Sequence, residues 1–317
     1  KMHFTPTLDP WGFTFQQRTE DIHRMKGREH QDAYLRWLQA QGLTYKAFDE
    51  SASETCGDSH YRSGRSGMPA ELHQDHWVAD RAIDFVQANE SSPFFLWTSF
   101  IGPHDPINPP QPFDTMYSSD DVPAPLPIVD RESQILNLQS QHLFGPDRGF
   151  VQPDENAMRR HNAHYFGSVT FLDQQVGRLL DSIDAAGLSE NTYIVFTTDH
   201  GEMLWDFGLR EKGPWPYEQS LRVPLMIAGP GVRAGDCCDQ LTSLVDLAPT
   251  FLDWAIGEDF HRDQQGVSLA EVCRQQPQQA LREFAIAEFG HTIKIVRDHR
   301  YTYAYYPGRG VAELYDR

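Results

Sequence analysis

Apolar residues recur every three or four positions in several stretches of this chain, and such spacing predicts amphipathic helices. Between Gln31 and Gln41 the face consists of Ala33, Leu35, Trp37 and Leu38. Between Pro69 and Ala88 it is Trp77, Ala79, Ala82, Ile83 and Val86. The longest example runs from Glu155 to Ala186, with Phe166, Val169, Leu172, Val176, Leu179, Leu180 and Ile183 aligned and Gly187 as its stop. A further helix is predicted near Val245–Ile256. Short continuous apolar runs bounded by Gly, Pro or Ser predict buried strands at Phe94–Phe100, Tyr193–Thr198 and Val223–Ala228. Residues 51–69, rich in Gly, Ser and charge, read as a surface loop, and 101–153 as a long proline-rich excursion.

Past Gly257 the texture changes. Strands are predicted at Glu283–Phe289, Thr292–Arg297, Tyr301–Tyr305 and Val311–Tyr315, with hairpin turns at Arg297–Arg300 and Pro307–Gly310. Strands alternating with helices and then a run of strands predict an α/β fold. Its central sheet is mainly parallel and sandwiched by helices, followed by a small C-terminal antiparallel sheet. The expected domains are 1–257 for the α/β part and 258–317 for the antiparallel subdomain.

The 317 residues carry 45 acidic and 27 basic side chains, a formal charge of −18. That balance excludes generic nucleic-acid binding, which needs a basic face. No apolar run approaches the roughly 20 residues of a membrane-spanning helix. Four cysteines (Cys56, Cys237, Cys238 and Cys273) are too few for a disulfide scaffold and show no zinc spacing. Compartment and oligomeric state are not legible.

Ligands of open parallel sheets lie beyond the carboxyl ends of the strands. There the sequence places Gly102-Pro103-His104-Asp105-Pro106 after one strand and Asp199-His200-Gly201-Glu202 after the next, with Lys212 thirteen residues past Asp199. A carboxylate beside an imidazole at a glycine turn is half of a metal site. Read singly, each residue has a plain alternative as a turn cap, a loop histidine or a surface lysine.

Their ordered arrangement resembles the sulfatase family of the alkaline-phosphatase-like superfamily. The resemblance rests on Lys1-Met2-His3-Phe4, Pro103-His104-Asp105-Pro106, Phe196–Leu204 around Asp199-His200-Gly201 and Glu211-Lys212-Gly213. It extends through Arg222-Val223-Pro224-Leu225, Gly229-Pro230-Gly231, Asp246-Leu247-Ala248-Pro249-Thr250 and Glu313-Leu314-Tyr315-Asp316. It implies hydrolysis of a small-molecule or glycan sulfate ester by a formylglycine nucleophile, assisted by one divalent metal. Calcium is the first expectation, with manganese or magnesium as alternatives, since His200 stands where many members carry Asn. By the same resemblance Asp199 and His200 hold the metal, and Lys1 contacts the formylglycine and the sulfate. His3 takes a proton from the covalent sulfate intermediate, while His104 and Lys212 bind sulfate oxygens and assist departure of the alcohol.

The sequence also departs from the family. No Cys or Ser starts the family's Cys/Ser-x-Pro-x-Arg, and the paired aspartates that complete the metal site are missing. The expectation is a chain that starts after its nucleophile-bearing portion, inactive alone, with an exposed edge and core. Two alternatives remain: a phosphonate or phosphate diester hydrolase of the same superfamily, and a non-catalytic homologue acting as a binding module. Trp205-Asp206-Phe207-Gly208 reads either as packing or as an aromatic wall for a substrate ring.

Overall fold

The computed structural model describes residues 11–20, 22–25, 27, 29–56, 62–127, 153–257, 265–275 and 279–317. They gather into two compact units, one within 1–125 and 149–189 and the other within 126–148 and 190–317.

The first unit is built on three helices and a hairpin. Helix α1 (Ala33–Ala40) starts at Asp32, whose carboxylate accepts the Leu35 N–H and caps the open helix end. Strands β1 (Phe48–Thr55) and β2 (Arg62–Ser66) pair antiparallel, so a hairpin replaces much of the loop expected over 51–69. The sequence hid it because β1 is polar, held in part by Arg62 on Glu50 rather than by alternating apolar residues. Helix α2 (Gln74–Ala88) buries its predicted face, whereas the 31-residue α3 (Glu155–Ala185) has the predicted span but not the predicted face. In α3 Val169 and Leu180 are exposed, and Met158, His161, Ala163, Phe171 and Gln175 are buried with Ile183. It stops before Gly187 at φ +68°. Arg178 of α3 reaches Asp80 of α2 at 2.6 Å, joining the two helices. Tyr34, Leu38, Met68 and Trp77 form one buried cluster, in which a fully buried leucine contributes about 1.5–3 kcal/mol.

Residues 94–100, expected as a buried strand, carry no ladder, and Phe95 and Trp97 among them are exposed. The side chains instead alternate. Phe94 packs edge-on against Phe85 of α2 with ring centres 5.7 Å apart, while Phe95 and Trp97 stand out toward Phe13. Phe13, Phe15, Phe85 and Phe94 line a groove of about 840 Å³ that holds none of the candidate residues.

In the second unit, β3 (Ile194–Thr197) and β4 (Leu225–Ala228) pair antiparallel in register from Ile194–Ala228 to Thr197–Leu225. The central sheet was expected to be mainly parallel, and this pair is not. A parallel return needs a crossover, usually a helix of some length, whereas 198–224 contain only the one-turn α4 (Glu218–Leu221) and a 3-10 turn. Among the described residues every ladder is antiparallel, and the one parallel contact is the isolated Ser63–Ile107 bridge.

Helices α5 (Leu247–Ile256) and α6 (Ala270–Arg274) are followed by a four-stranded antiparallel sheet. Its strands are β5 (Ala285–Phe289), β6 (Ile293–Arg297), β7 (Tyr301–Tyr306) and β8 (Val311–Asp316), close to the predicted ones. Period-2 alternation buries Ile293, Ile295, Ala304 and Tyr306 on one face. On the other, the register lines up Ile286, Val296, Tyr303 and Leu314 in one exposed row across all four strands. Asp298 sets the β6–β7 turn by accepting the N–H groups of Arg300 and Tyr301, which hold its carboxyl below the ordinary range. No helix of the described residues is long and apolar enough to cross a membrane.

Candidate active site

His104 lies in the first unit, on the turn after residues 94–100, where its N–H donates to the Ile101 carbonyl at 3.1 Å. Its Nδ1 lies 2.9 Å from the carbonyl oxygen of Asp105. A carbonyl only accepts, so Nδ1 carries the proton and Nε2 is the nitrogen that can exchange one. The loop is clamped on both sides. On one side the buried Asp75, in the first turn of α2, accepts the N–H of Ile101 at 2.8 Å and that of Gly102 at 3.2 Å. On the other, Gly64 and Ser66 of β2 donate to the carbonyls of Ile107 and Pro109, and the Asn108 amide donates to Ala47 at 2.6 Å. Behind the loop, His73 caps α2 through its Nδ1, and burial pushes its imidazole pKa down, so it stays neutral there.

Asp199 and His200 lie in the second unit, just past the end of β3 as predicted. His200 Nδ1 lies 2.9 Å from the Gly201 carbonyl, which again fixes the proton on Nδ1. Its Nε2 sits 3.6 Å from Asp199 Oδ2, and the Asp199 side chain is 66% exposed. A carboxylate oxygen and a ring nitrogen on one turn fit part of the ligand set of a divalent cation. Among the described residues no group of three or more His, Cys, Asp or Glu side chains comes together in a way that could hold a metal ion. Gly201 is required where it stands, since a Cβ there would lie 1.8 Å from the Gln219 carbonyl oxygen.

Lys212 follows a strained segment. Leu204, Trp205, Phe207 and Glu211 all have φ between +47° and +72°, a conformation that costs non-glycine residues about 1–2 kcal/mol each. The surroundings hold it there. Glu202 accepts the Glu211 N–H at 2.5 Å, Asp206 accepts the Gln219 amide at 2.7 Å, and Ser220 donates to the Lys212 carbonyl at 2.8 Å. Met203, Leu209 and Trp215 form the buried cluster beneath. Trp205 is buried under the Arg210 guanidinium and so packs rather than forming an open wall, while Phe207 tilts against Tyr217.

Lys1 and His3 lie outside the described residues. The structure thus brings Asp199 and His200 together and places His104 and Lys212 in separate units. Sequence reasoning missed Asp75, Asn108 and Glu202. They act on backbone amides and carbonyls of other segments, and a link of that kind leaves no spacing signal.

The sulfatase family model matches residues 14–258, most of the chain. The chain belongs to the sulfatase family. A second match, to the C-terminal part of N-sulphoglucosamine sulphohydrolase, covers residues 206–317 of this sulfatase chain. An arylsulfatase of Clostridium perfringens is 32% identical over 272 residues, which make up 80% of this chain and 54% of that relative. The chain therefore spans about half the length of that curated relative.

Among solved structures, the phosphonate monoester hydrolase SpPMH from Silicibacter pomeroyi superposes with a TM-score of 0.76 at 24% identity, over 90% of this chain and 62% of that one. A structure described in complex with its substrate, D-glucosamine-2-N,6-O-disulfate, superposes at 0.60 and 20% identity, over 82% and 67%. These likenesses establish the alkaline-phosphatase-like fold expected from the sequence.

Proposed function

We propose that this chain is part of an enzyme that hydrolyses a sulfate ester to an alcohol and inorganic sulfate. The observation that carries the reading is the Asp199–His200 pair, inside the stretch matched by the sulfatase family, with Nδ1 of His200 tied back and Nε2 left as its ligating nitrogen. The likeness to an arylsulfatase supports the substrate class. A sulfated sugar is one such ester, as bound by the solved neighbour.

In this reading His104 delivers a proton from Nε2 to the departing alcohol oxygen, its ring held by the Asp105 carbonyl. The Lys212 ammonium offsets the negative charge on the sulfuryl oxygens, as do Lys1 and the metal. Asp199 and His200 hold a divalent cation, calcium first and manganese or magnesium second, which supplies Lewis-acid charge when bound. His3 serves as a proton acceptor. The nucleophile, a formylglycine, comes from outside the 317 residues, because no Cys/Ser-x-Pro-x-Arg lies within them. The chain by itself therefore does not turn over substrate.

A second reading, phosphonate or phosphate diester hydrolysis, is favoured by the likeness to the phosphonate monoester hydrolase. The test is expression of the complete gene, assay on p-nitrophenyl sulfate, a sulfated amino sugar and phenyl phosphonate esters, and mass spectrometry for formylglycine. Sulfate release with the higher kcat/KM is expected. Preference for the phosphonate ester selects the second reading, and an intact upstream region with no turnover selects a binding module.

A further inference from the structure

On its N-terminal side the loop that carries His104 has no ladder among the described residues, and the Asp75 side chain grips it there. Both carboxylate oxygens of Asp75 engage it. Oδ1 accepts the N–H of Ile101 at 2.8 Å and that of Gly102 at 3.2 Å, and Oδ2 lies 3.2 Å from the same Gly102 nitrogen. Asp75 comes from α2, whose N-terminal backbone end favours a carboxylate in its first turn. Its side chain is 4% exposed, so the loop amides it takes are not competed for by bulk water.

The fit is matched from the loop side. A Cβ at position 102 would lie 2.6 Å from Asp75 Oδ2, so glycine is what lets the carboxylate close on the backbone. Two residues later the chain turns through the His104 N–H to Ile101 carbonyl bond, so the same residue that Asp75 grips also accepts from His104. Behind this turn lies a cavity of about 20 Å³ lined by His73, Asp75, His104 and Asn108 among others. That is room for one water molecule and no more.

We infer that Asp75 is a positioning residue for His104, setting the place and tautomer of its imidazole through the Ile101 and Gly102 backbone. The role assigned to His104 rests on the sulfate-ester reading; the mechanical link from Asp75 does not. An asparagine is a poor substitute, because its NH2 would face the Gly102 N–H that a carboxylate oxygen now accepts.

The test uses the protein expressed from the complete gene, with ring-¹⁵N histidine and inorganic sulfate as the probe. In the wild type the His104 resonances are expected to show a protonated Nδ1 and an Nε2 that shifts on sulfate addition. Asp75→Asn is expected to move them toward a mixture of tautomers and to raise the half-saturating sulfate concentration about tenfold, the scale of one weakened hydrogen bond to the anion. The His200 resonances and the helix content by circular dichroism are expected to stay as they are. Gly102→Ala, which keeps Asp75 but puts a methyl against it, is expected to reproduce the His104 change and carries the test if Asp75→Asn does not fold. Wild-type His104 tautomer and sulfate response in a folded variant overturn the inference. If sulfate leaves wild-type His104 unmoved while its tautomer still follows Asp75, the sulfate reading fails and the positioning role stands.

Discussion

Replacing Asp246 with alanine removes the most heavily used buried carboxylate of the second unit. Its oxygens accept the N–H of Ser243 at 2.7 Å and of Val267 at 2.9 Å, and they also pair with the Arg282 guanidinium. Its own carbonyl accepts the Thr250 hydroxyl at 2.6 Å, and that hydroxyl accepts the Leu269 N–H at 2.8 Å. Three segments, 243–250, 267–269 and the one carrying Arg282, thus meet on this one turn. The Asp246 side chain has no exposure and Arg282 only 15%, so little solvent screening is available. Breaking one side of a buried pair costs about 3–5 kcal/mol, and each stranded N–H adds about 1–3 kcal/mol, less than additively. Asp246→Ala is therefore expected to cost about 4–6 kcal/mol, a large fraction of the 5–15 kcal/mol typical of a folded protein. Asp246→Asn, which keeps one acceptor, should cost about half of that. The assay is urea unfolding followed by tryptophan fluorescence, for which Trp254, stacked on Tyr193 at 4.2 Å, is a reporter. The double variant Asp246→Asn with Arg282→Met should lose less than the sum of the singles, since each single strands the other partner. A cost under about 1 kcal/mol for Asp246→Ala, against the buried-pair range, or strict additivity of the double, refutes the reasoning.

Three further outcomes are expected. Burial pushes the His73 and His164 pKa values down, so the unfolded chain takes up their protons first as pH falls. Stability should thus drop below about pH 6.5, by at most about 1.4 kcal/mol per pH unit for each histidine, and urea midpoints at pH 7.5, 6.5 and 5.5 measure it; a flat profile contradicts it. Gly201→Ala forces a methyl against the Gln219 carbonyl and should destabilise by about 1–3 kcal/mol while shifting the His200 ring resonances, which unchanged spectra would disprove. In native alkylation, exposed Cys237 and Cys238 should react first, Cys273 more slowly and buried Cys56 last, with equal rates counting against the described packing.

Much of this was legible in the sequence where a single period dominates. The span of α3 and the alternation of β6 and β7 each follow from one repeating pattern, so their bounds agree with expectation within a residue or two. The face that α3 buries, with His161 and Gln175 in it, is nevertheless not the apolar one the sequence suggests. The β1–β2 hairpin was not legible, because Asp49, Glu50, Ser51 and Glu54 carry no apolar period and charge pairs such as Arg160–Glu54 do the holding. Phe94–Phe100 shows the opposite limit: an apolar run suggests a strand but does not say whether a ladder partner exists, and none does among the described residues. At the site, Asp199 and His200 were visible because they are adjacent in a motif. Asp75 was not, because its partners are backbone amides 26 and 27 residues away.

The exposed row of Ile286, Val296, Tyr303 and Leu314 gives the molecule a colloidal character opposite to that of most acidic proteins. A charge of −18 keeps copies apart at low ionic strength, but the Debye length shrinks to about 10 Å at 0.1 M salt and about 3 Å at 1 M. Added salt therefore removes the repulsion and leaves the apolar row in play. Light scattering should show the second virial coefficient falling through zero as salt rises, and a lysine at position 296 or 314 should move that crossing to higher salt.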